Sequence, residues 1–326
     1  MEVFCSLAST AGTLRGCAVA IGNFDGVHLG HRRLFEVARA RSAPAGAKVI
    51  ALTFEPHPVR VLRPKLAPPL LTPLPRKLEL LAGCGLDAVV VQPFDLAYAG
   101  TDAATFVRRD LAGHLGAAAV VVGPDFTAGK GRTRVEGLRS LLEASGVRLD
   151  VVEPVASDGL VVSSTKIREL LLEGNVDAVV PLLARPYDVE GTVERGAGRG
   201  RELGFATANL HPAAMLPANG VYAVRAVVAG DWYDGVCNVG VKPTLQRAGP
   251  VTAEAHLFDF GGRDLYGEKV RVAFVARLRD EQRFPSIELL RAQIAEDVAR
   301  ARELLPKQGS MSVSDEKSRA CDEPVP

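Results

Sequence analysis

Between residues 16 and 155 short apolar runs alternate with stretches in which apolar side chains recur every three or four positions. The runs at 17–21, 48–54, 87–92, 118–122 and 149–152 have no polar face, as strands covered on both sides of a parallel sheet must. The stretches at 32–40, 76–81, 105–115 and 135–145 carry the helical period, so the order predicts βα units. A further helix is predicted over 166–173, where Ile167, Leu170 and Leu171 share a face and Gly174 and Asn175 suit the C-terminal cap.

Beyond Ala184 the period falls to two and glycine-rich turns separate short strands. In the segment 269–279, Val270, Val272, Phe274, Ala276 and Leu278 alternate with Lys269, Arg271, Arg277 and Arg279. This half reads as a small antiparallel β barrel closed by a helix over 287–305, with Ser286 at its N-cap. The expected fold is thus α/β: a Rossmann-like parallel sheet, then a small antiparallel β barrel with a C-terminal helix. The expected domains are 1–183 and 184–306, followed by a polar, disordered tail over 307–326.

Composition narrows the function classes. Among 326 residues, 39 Lys and Arg face 38 Asp and Glu, a formal charge of +1. No global field draws nucleic acid or an anionic membrane, so a polyanion must be gripped locally. Apolar runs fall far short of the roughly 20 residues that span a bilayer, and the N-terminus lacks a secretory layout; the expected location is the cytoplasm. The five cysteines (Cys5, Cys17, Cys84, Cys237, Cys321) show no paired spacing and read as idle thiols.

The first strand runs into Gly22-Asn23-Phe24-Asp25-Gly26-Val27-His28-Leu29-Gly30-His31. A glycine-rich loop from a parallel strand to a helix N-terminus is where phosphates bind, because free N–H groups point at the ligand. His28 and His31, three apart, can face one anion and neutralise charge developing on a phosphoryl group. A metal site built from Asp25, His28 and His31, or a structural turn, are the competing readings. A second clamp is expected at Val162-Ser163-Ser164-Thr165-Lys166-Ile167-Arg168, after the fifth strand, where hydroxyls, N–H groups and two cations meet at a helix start.

These two segments, with Thr53-Phe54-Glu55-Pro56-His57-Pro58 in their order between them, resemble the adenylyltransferase half of the prokaryotic bifunctional riboflavin kinase/FAD synthetase family. The resemblance runs from about residue 16 to 305. It implies attack by the FMN phosphate on the α-phosphorus of ATP, forming FAD and pyrophosphate. His28 and His31 would stabilise the ATP phosphates, with Gly22, Asn23, Phe24 and Gly30 lining the loop. Ser164, Thr165 and Arg168 would hold the pyrophosphate. The family's flavin-side loop matches Asp125, Phe126 and Gly129, but Ala128 stands where a second aromatic is usual. Losing a ring that packs on isoalloxazine or supports the loop is expected to weaken binding by about 1–3 kcal/mol.

In the second half, Gly196, Gly198 and Gly200 lie among Arg195, Arg199 and Arg201, a cationic loop fit to cover a triphosphate, or a solvated hairpin turn. Thr207 and Asn209 fall on one side of an extended segment and offer two oxygens, an arrangement suited to Mg²⁺ and phosphate. Glu254 shares a strand face with His256 and Phe258; His256 is expected to pack. By resemblance to the kinase domain, Glu254 is the general base for the riboflavin 5′-hydroxyl and Asn238 lies on the flavin. Ala206 replaces the usual Pro without removing a ligand.

The resulting expectation is an enzyme making FMN from riboflavin and ATP, then FAD from FMN and ATP, each step with Mg²⁺. It would act without nucleic acid or membrane, as a monomer or weak homo-oligomer. A kinase with a lost adenylyltransferase, or a non-catalytic flavin-binding paralogue, are the alternatives.

Overall fold

The computed structural model describes residues 1–10, 12–42, 46–194, 207–244, 247–261 and 264–305, with the side chains of 207 and 242–250 outside that description. The chain packs as two compact units. Among the described residues the first comprises Met1–Pro69 and Leu74–Val162; the second comprises Leu70–Pro73 and 163–305.

In the first unit, β1 (Glu2–Phe4), β2 (Ala18–Ile21), β3 (Val49–Glu55), β4 (Ala88–Pro93), β5 (Ala119–Val122) and β6 (Arg148–Val151) form one sheet in the order β1-β4-β3-β2-β5-β6, with every pair parallel. Side-chain alternation divides the apolar runs between two cores. Val19, Ile21, Ile50, Leu52, Val120 and Val122 face one; Ala18, Ala20, Val49, Ala51, Ala119 and Val121 face the other. On the second face, helices α1 (Leu29–Ser42) and α2 (Leu74–Ala82) bring Leu34, Phe35 and Leu81. On the first, α3 (Val135–Glu143) brings Leu138 and Leu142.

Three details differ from the sequence reading. The edge strand β1, three residues long, is too short to show a period. The helix expected over 105–115 is wide-turned, a π-helix over Phe106–His114 closed by Leu115 N–H donating to the Asp110 carbonyl at 3.0 Å; apolar spacing does not resolve that difference in pitch. The clamp segment does not follow the last parallel strand directly: a small hairpin, β7 (Ala156–Ser157) with β8 (Leu160–Val161), intervenes.

The second unit opens with α4 (Ser164–Glu173), which ends on Gly174 in the left-handed region, φ 79°. A second short helix, α5 (Val176–Leu183), follows. Then β9 (Tyr187–Glu194), β10 (Thr207–Leu210), β11 (Gly220–Val228), β12 (Asp231–Thr244), β13 (Arg247–Leu257) and β14 (Lys269–Arg279) close a barrel in the order β10-β13-β12-β11-β14-β9. Helix α6 (Ile287–Leu304) begins at Ser286, whose hydroxyl caps Leu289 N–H. It packs through Ala301 against Val221, Ala223, Val236 and Leu278. The parallel sheet, the barrel and the closing helix are the architecture expected from the sequence. The expected tail over 307–326 and the loop with Gly196 and Gly200 lie outside the described residues.

Candidate active sites

Ile21, the last residue of β2, is registered with Leu52 of β3, and the chain then turns sharply. Phe24 and Val27 both take positive φ, 50° and 45°. The Thr53 hydroxyl donates to the Asn23 carbonyl at 3.2 Å. This turn buries Phe24, Asp25 and His28 and stacks the His28 and His31 rings at 3.6 Å between centroids. Each ring nitrogen Nδ1 accepts the other residue's backbone N–H, at 3.3 and 3.4 Å. A Cβ on Gly30 would lie 3.2 Å from the His28 ring, so glycine leaves room for it. Helix α1 starts at Leu29, three residues before the sequence reading. His31 therefore sits in its first turn, where its N–H and that of Arg32 also donate to the His28 carbonyl at 2.9 and 3.1 Å.

Burial, then the nearby His28 and Lys77, hold the His31 imidazole well below its ordinary pKa, so it is uncharged at neutral pH. A buried basic residue, Lys77, stands near His31, and the motif reading passed over it. It lies on α2 in line with Leu74, Leu78 and Leu81 and is 1% exposed. Burial lowers its pKa, while Asp25 and Glu55 act in the opposite direction. A lysine on the apolar stripe of a helix was the available signal, since an ammonium is buried only when partnered.

The loop after β5 leaves Asp125 exposed and Phe126 half-buried, packed on the core cluster of the first sheet face. Ala128 is 3% exposed and belongs to that same cluster, and its backbone pairs with Thr133. Position 128 thus points into the core.

In the second unit, the Ser163 hydroxyl caps α4 by accepting Lys166 N–H at 3.1 Å. Ser164 and Thr165 are its first two residues, and Arg168 is one turn on. Lys166 pairs with Glu169 at 3.2 Å.

Barrel register assembles the other set. Asn209 of β10 lies directly opposite Glu254 of β13, and Glu254 lies opposite Asn238 of β12. Directly paired residues share a face, so three of the four candidates described here form one row. Thr207, registered with His256, lies two residues along. Asn238 is in turn registered with Val221, so this face is the one on which α6 packs. Asn209 is buried, and Glu254 and Asn238 are half-exposed. The His256 ring meets Phe258 edge-on at 5.9 Å, a packing contact.

A parallel α/β sheet with a glycine-rich anion loop, and a separate barrel with a carboxylate between two amides, define a two-domain nucleotide-dependent transferase. Residues 11–166 match the FAD synthetase family model and residues 183–305 the riboflavin kinase model. The bifunctional riboflavin kinase/FMN adenylyltransferase of Pseudomonas fluorescens is 39% identical over 295 residues, 89% of this chain and 93% of the relative. The protein of that name from Escherichia coli K12 is 37% identical over 294 residues, 88% and 92% of the two chains. The chain belongs to the bifunctional riboflavin kinase/FMN adenylyltransferase family. A solved structure titled macrolide-efflux protein, from Streptococcus pneumoniae, matches with a TM-score of 0.82 and 28% identity, covering 93% of this chain and 99% of that one. Among the described residues no helix is long and apolar enough to cross a membrane.

Proposed function

We propose that the chain performs both reactions of its family, phosphorylating riboflavin in the barrel unit and adenylylating FMN in the α/β unit, with ATP as co-substrate in each. The observation that carries the kinase reading is the row Asn209–Glu254–Asn238 across three adjacent strands. Glu254 takes the proton of the riboflavin 5′-hydroxyl as its oxygen attacks the γ-phosphorus; ADP leaves and FMN forms. A positioned base of this kind is worth about 10²- to 10⁴-fold in rate. Thr207 and Asn209 would supply neutral oxygens, a donor set suited to Mg²⁺. Bound there, the ion would neutralise phosphate charge. Asn238 holds the flavin, and the resemblance to the family assigns Gly196 and Gly200 to the nucleotide.

In the α/β unit a phosphate oxygen of FMN attacks the α-phosphorus of ATP, and pyrophosphate leaves. The imidazoles of His28 and His31, with the loop of Gly22, Asn23, Phe24 and Gly30, receive the nucleotide phosphates. Asp125 and Phe126 lie on the flavin side. By the resemblance to the family, Ser164, Thr165 and Arg168, at the start of α4 in the second unit, are assigned to the pyrophosphate. The burial of Ala128 in the core favours this reading over a kinase that has lost its second activity. The protein would work in the cytoplasm, on small molecules rather than nucleic acid or membrane, as a monomer or weak homo-oligomer, with functional domains at 1–183 and 184–306.

The test is incubation of the purified protein with riboflavin, ATP and Mg²⁺, with chromatography of the flavins over time. FMN appearing first and then converting to FAD is expected. FMN accumulating without FAD would remove the second activity, and neither product would leave only flavin binding.

A further inference from the structure

On β12, Gly240 lies two residues from Asn238 and is registered with Thr252, itself two residues from Glu254. A side chain at 240 would therefore stand on the face of the Asn209–Glu254–Asn238 row, one step along the strands, about 7 Å away. That space is filled by a carboxylate from another part of the chain. A Cβ built on Gly240 would lie 2.9 Å from Glu281 Cδ and closer still to its Oε1. Glu281 comes from the loop between β14 and α6, and several contacts fix that loop. Arg279 forks onto Asp297 of α6, with Nε–Oδ1 2.9 Å and Nη2–Oδ2 2.8 Å. It also donates to the Asp280 carbonyl at 3.0 Å and lies over the Phe284 ring at 5.7 Å. Arg277 pairs with Asp280 at 2.9 Å.

Among the described residues no hydrogen bond or ion pair holds the Glu281 carboxylate, and the residue is exposed. An ionised carboxylate is acceptor-only. Held against a bare Cα on a site face, it is placed to receive donors from a ligand. Of the two kinase substrates, ATP brings a triphosphate that a carboxylate repels. Riboflavin brings a neutral polyol chain whose hydroxyls are donors, with the reacting 5′-hydroxyl at its end. Once that terminal hydroxyl is at Glu254, the rest of the chain must run along the face, and one strand step is within its reach.

We propose that Glu281 is a riboflavin-positioning residue of the kinase site, accepting hydrogen bonds from ribityl hydroxyls inside the 5′ position, and that Gly240 is glycine to leave room for it. The proposal rests on the kinase reading above. It is specific to the polyol: flavins lacking those hydroxyls gain nothing from Glu281.

The test compares wild type, Glu281→Gln, Glu281→Ala, Gly240→Ala and the double variant Gly240→Ala/Glu281→Ala. Riboflavin phosphorylation is measured at varied riboflavin and varied ATP, with adenylylation of supplied FMN and thermal unfolding followed in parallel. Glu281→Ala is expected to raise the riboflavin KM by about 10- to 100-fold, the worth of hydrogen bonds to a charged group, leaving the ATP KM within about threefold. Gly240→Ala, which evicts the carboxylate without removing it, should do the same, and the double variant should be no worse than either. Riboflavin analogues lacking the 2′-, 3′- or 4′-hydroxyl should bring wild type toward Glu281→Ala while leaving that variant unaffected. A riboflavin KM within about threefold of wild type in Glu281→Ala, or equal sensitivity of both proteins to the deoxy analogues, overturns the assignment. Should wild type phosphorylate no riboflavin, the kinase reading fails first. Should Glu281→Ala unfold early, Gly240→Ala and the analogue series decide.

Discussion

At the scale of single residues, the two sites differ in where their charge lies. Glu254 stands between two amides on one barrel face. With Glu254 as the proposed base, Glu254→Gln keeps the shape and removes the carboxylate, so riboflavin phosphorylation should fall by about 10²- to 10⁴-fold, while adenylylation of supplied FMN continues. Comparable loss in both reactions, in separate assays of one preparation, would show that Glu254 matters to folding rather than to proton transfer. In the α/β site, burial keeps His31 uncharged. Its native pKa lies below the unfolded value, so as pH falls through about 6.5 the unfolded chain takes up a proton that the native chain does not. Native stability is therefore full above that pH and declines below it, toward the native pKa. Urea midpoints between pH 8 and pH 5 should fall for wild type and fall less for His31→Asn; identical slopes would refute the linkage. Cys17 and Cys237 are buried with thiols pushed up, Cys17 to about 12, which accords with idle thiols.

At the scale of elements, ends and crossings carry the specificity. Helix α4 stops because Gly174 adopts φ 79° and because a Cβ there would lie 2.9 Å from Arg277 Nε and 3.0 Å from Tyr222 Oη. Gly174→Ala should destabilise by about 1–2 kcal/mol from backbone handedness, with crowding adding to it; a melting temperature equal to wild type would remove that account. Helix α6 is tied to β14 by the Arg279–Asp297 fork, with Gln293 donating to the same carboxylate at 3.2 Å. Asp297→Asn leaves the guanidinium without its counter-charge. It should cost about 2 kcal/mol and, by loosening the loop that carries Glu281, raise the riboflavin KM as well, measured by denaturant titration beside kinase assays.

At the scale of the whole molecule, each unit has its own core and its own candidate residues, while the chain crosses between the units more than once. Leu70–Pro73 belongs with the barrel unit although its neighbours in sequence lie in the sheet unit. It is held where Met215 N–H donates to the Leu70 carbonyl at 2.7 Å and the Tyr187 hydroxyl reaches the Leu71 carbonyl at 3.2 Å. Because the kinase product is the adenylyltransferase substrate, one protein lacking Glu254 and another lacking His31 should together convert riboflavin to FAD. Mixing Glu254→Gln with His31→Ala should restore FAD formation, limited by diffusion of FMN between molecules. Complementation failing while supplied FMN is still adenylylated by the first variant would mean that FMN is not released.

What the sequence determined by itself was whatever local chemistry dictates. The two-sided apolar runs required a covered parallel sheet, period-two alternation pointed to the barrel, and the loop of Gly22 to His31 stood out as a candidate because turn residues and candidate site residues are neighbours there. Glu254, Asn209 and Asn238 were each legible through their flanking motifs, but their standing in one row depends on strand register, which brings together residues up to 45 positions apart. The core position of Ala128 was hidden for the same reason, since burial belongs to the packed assembly, and Lys77 left only its place on the apolar stripe of α2 as a sign. Glu281 is the extreme case. Only the bare Cα of Gly240, reached across the fold, gives its carboxylate a place, because space is a property of tertiary packing and cannot be written in local sequence.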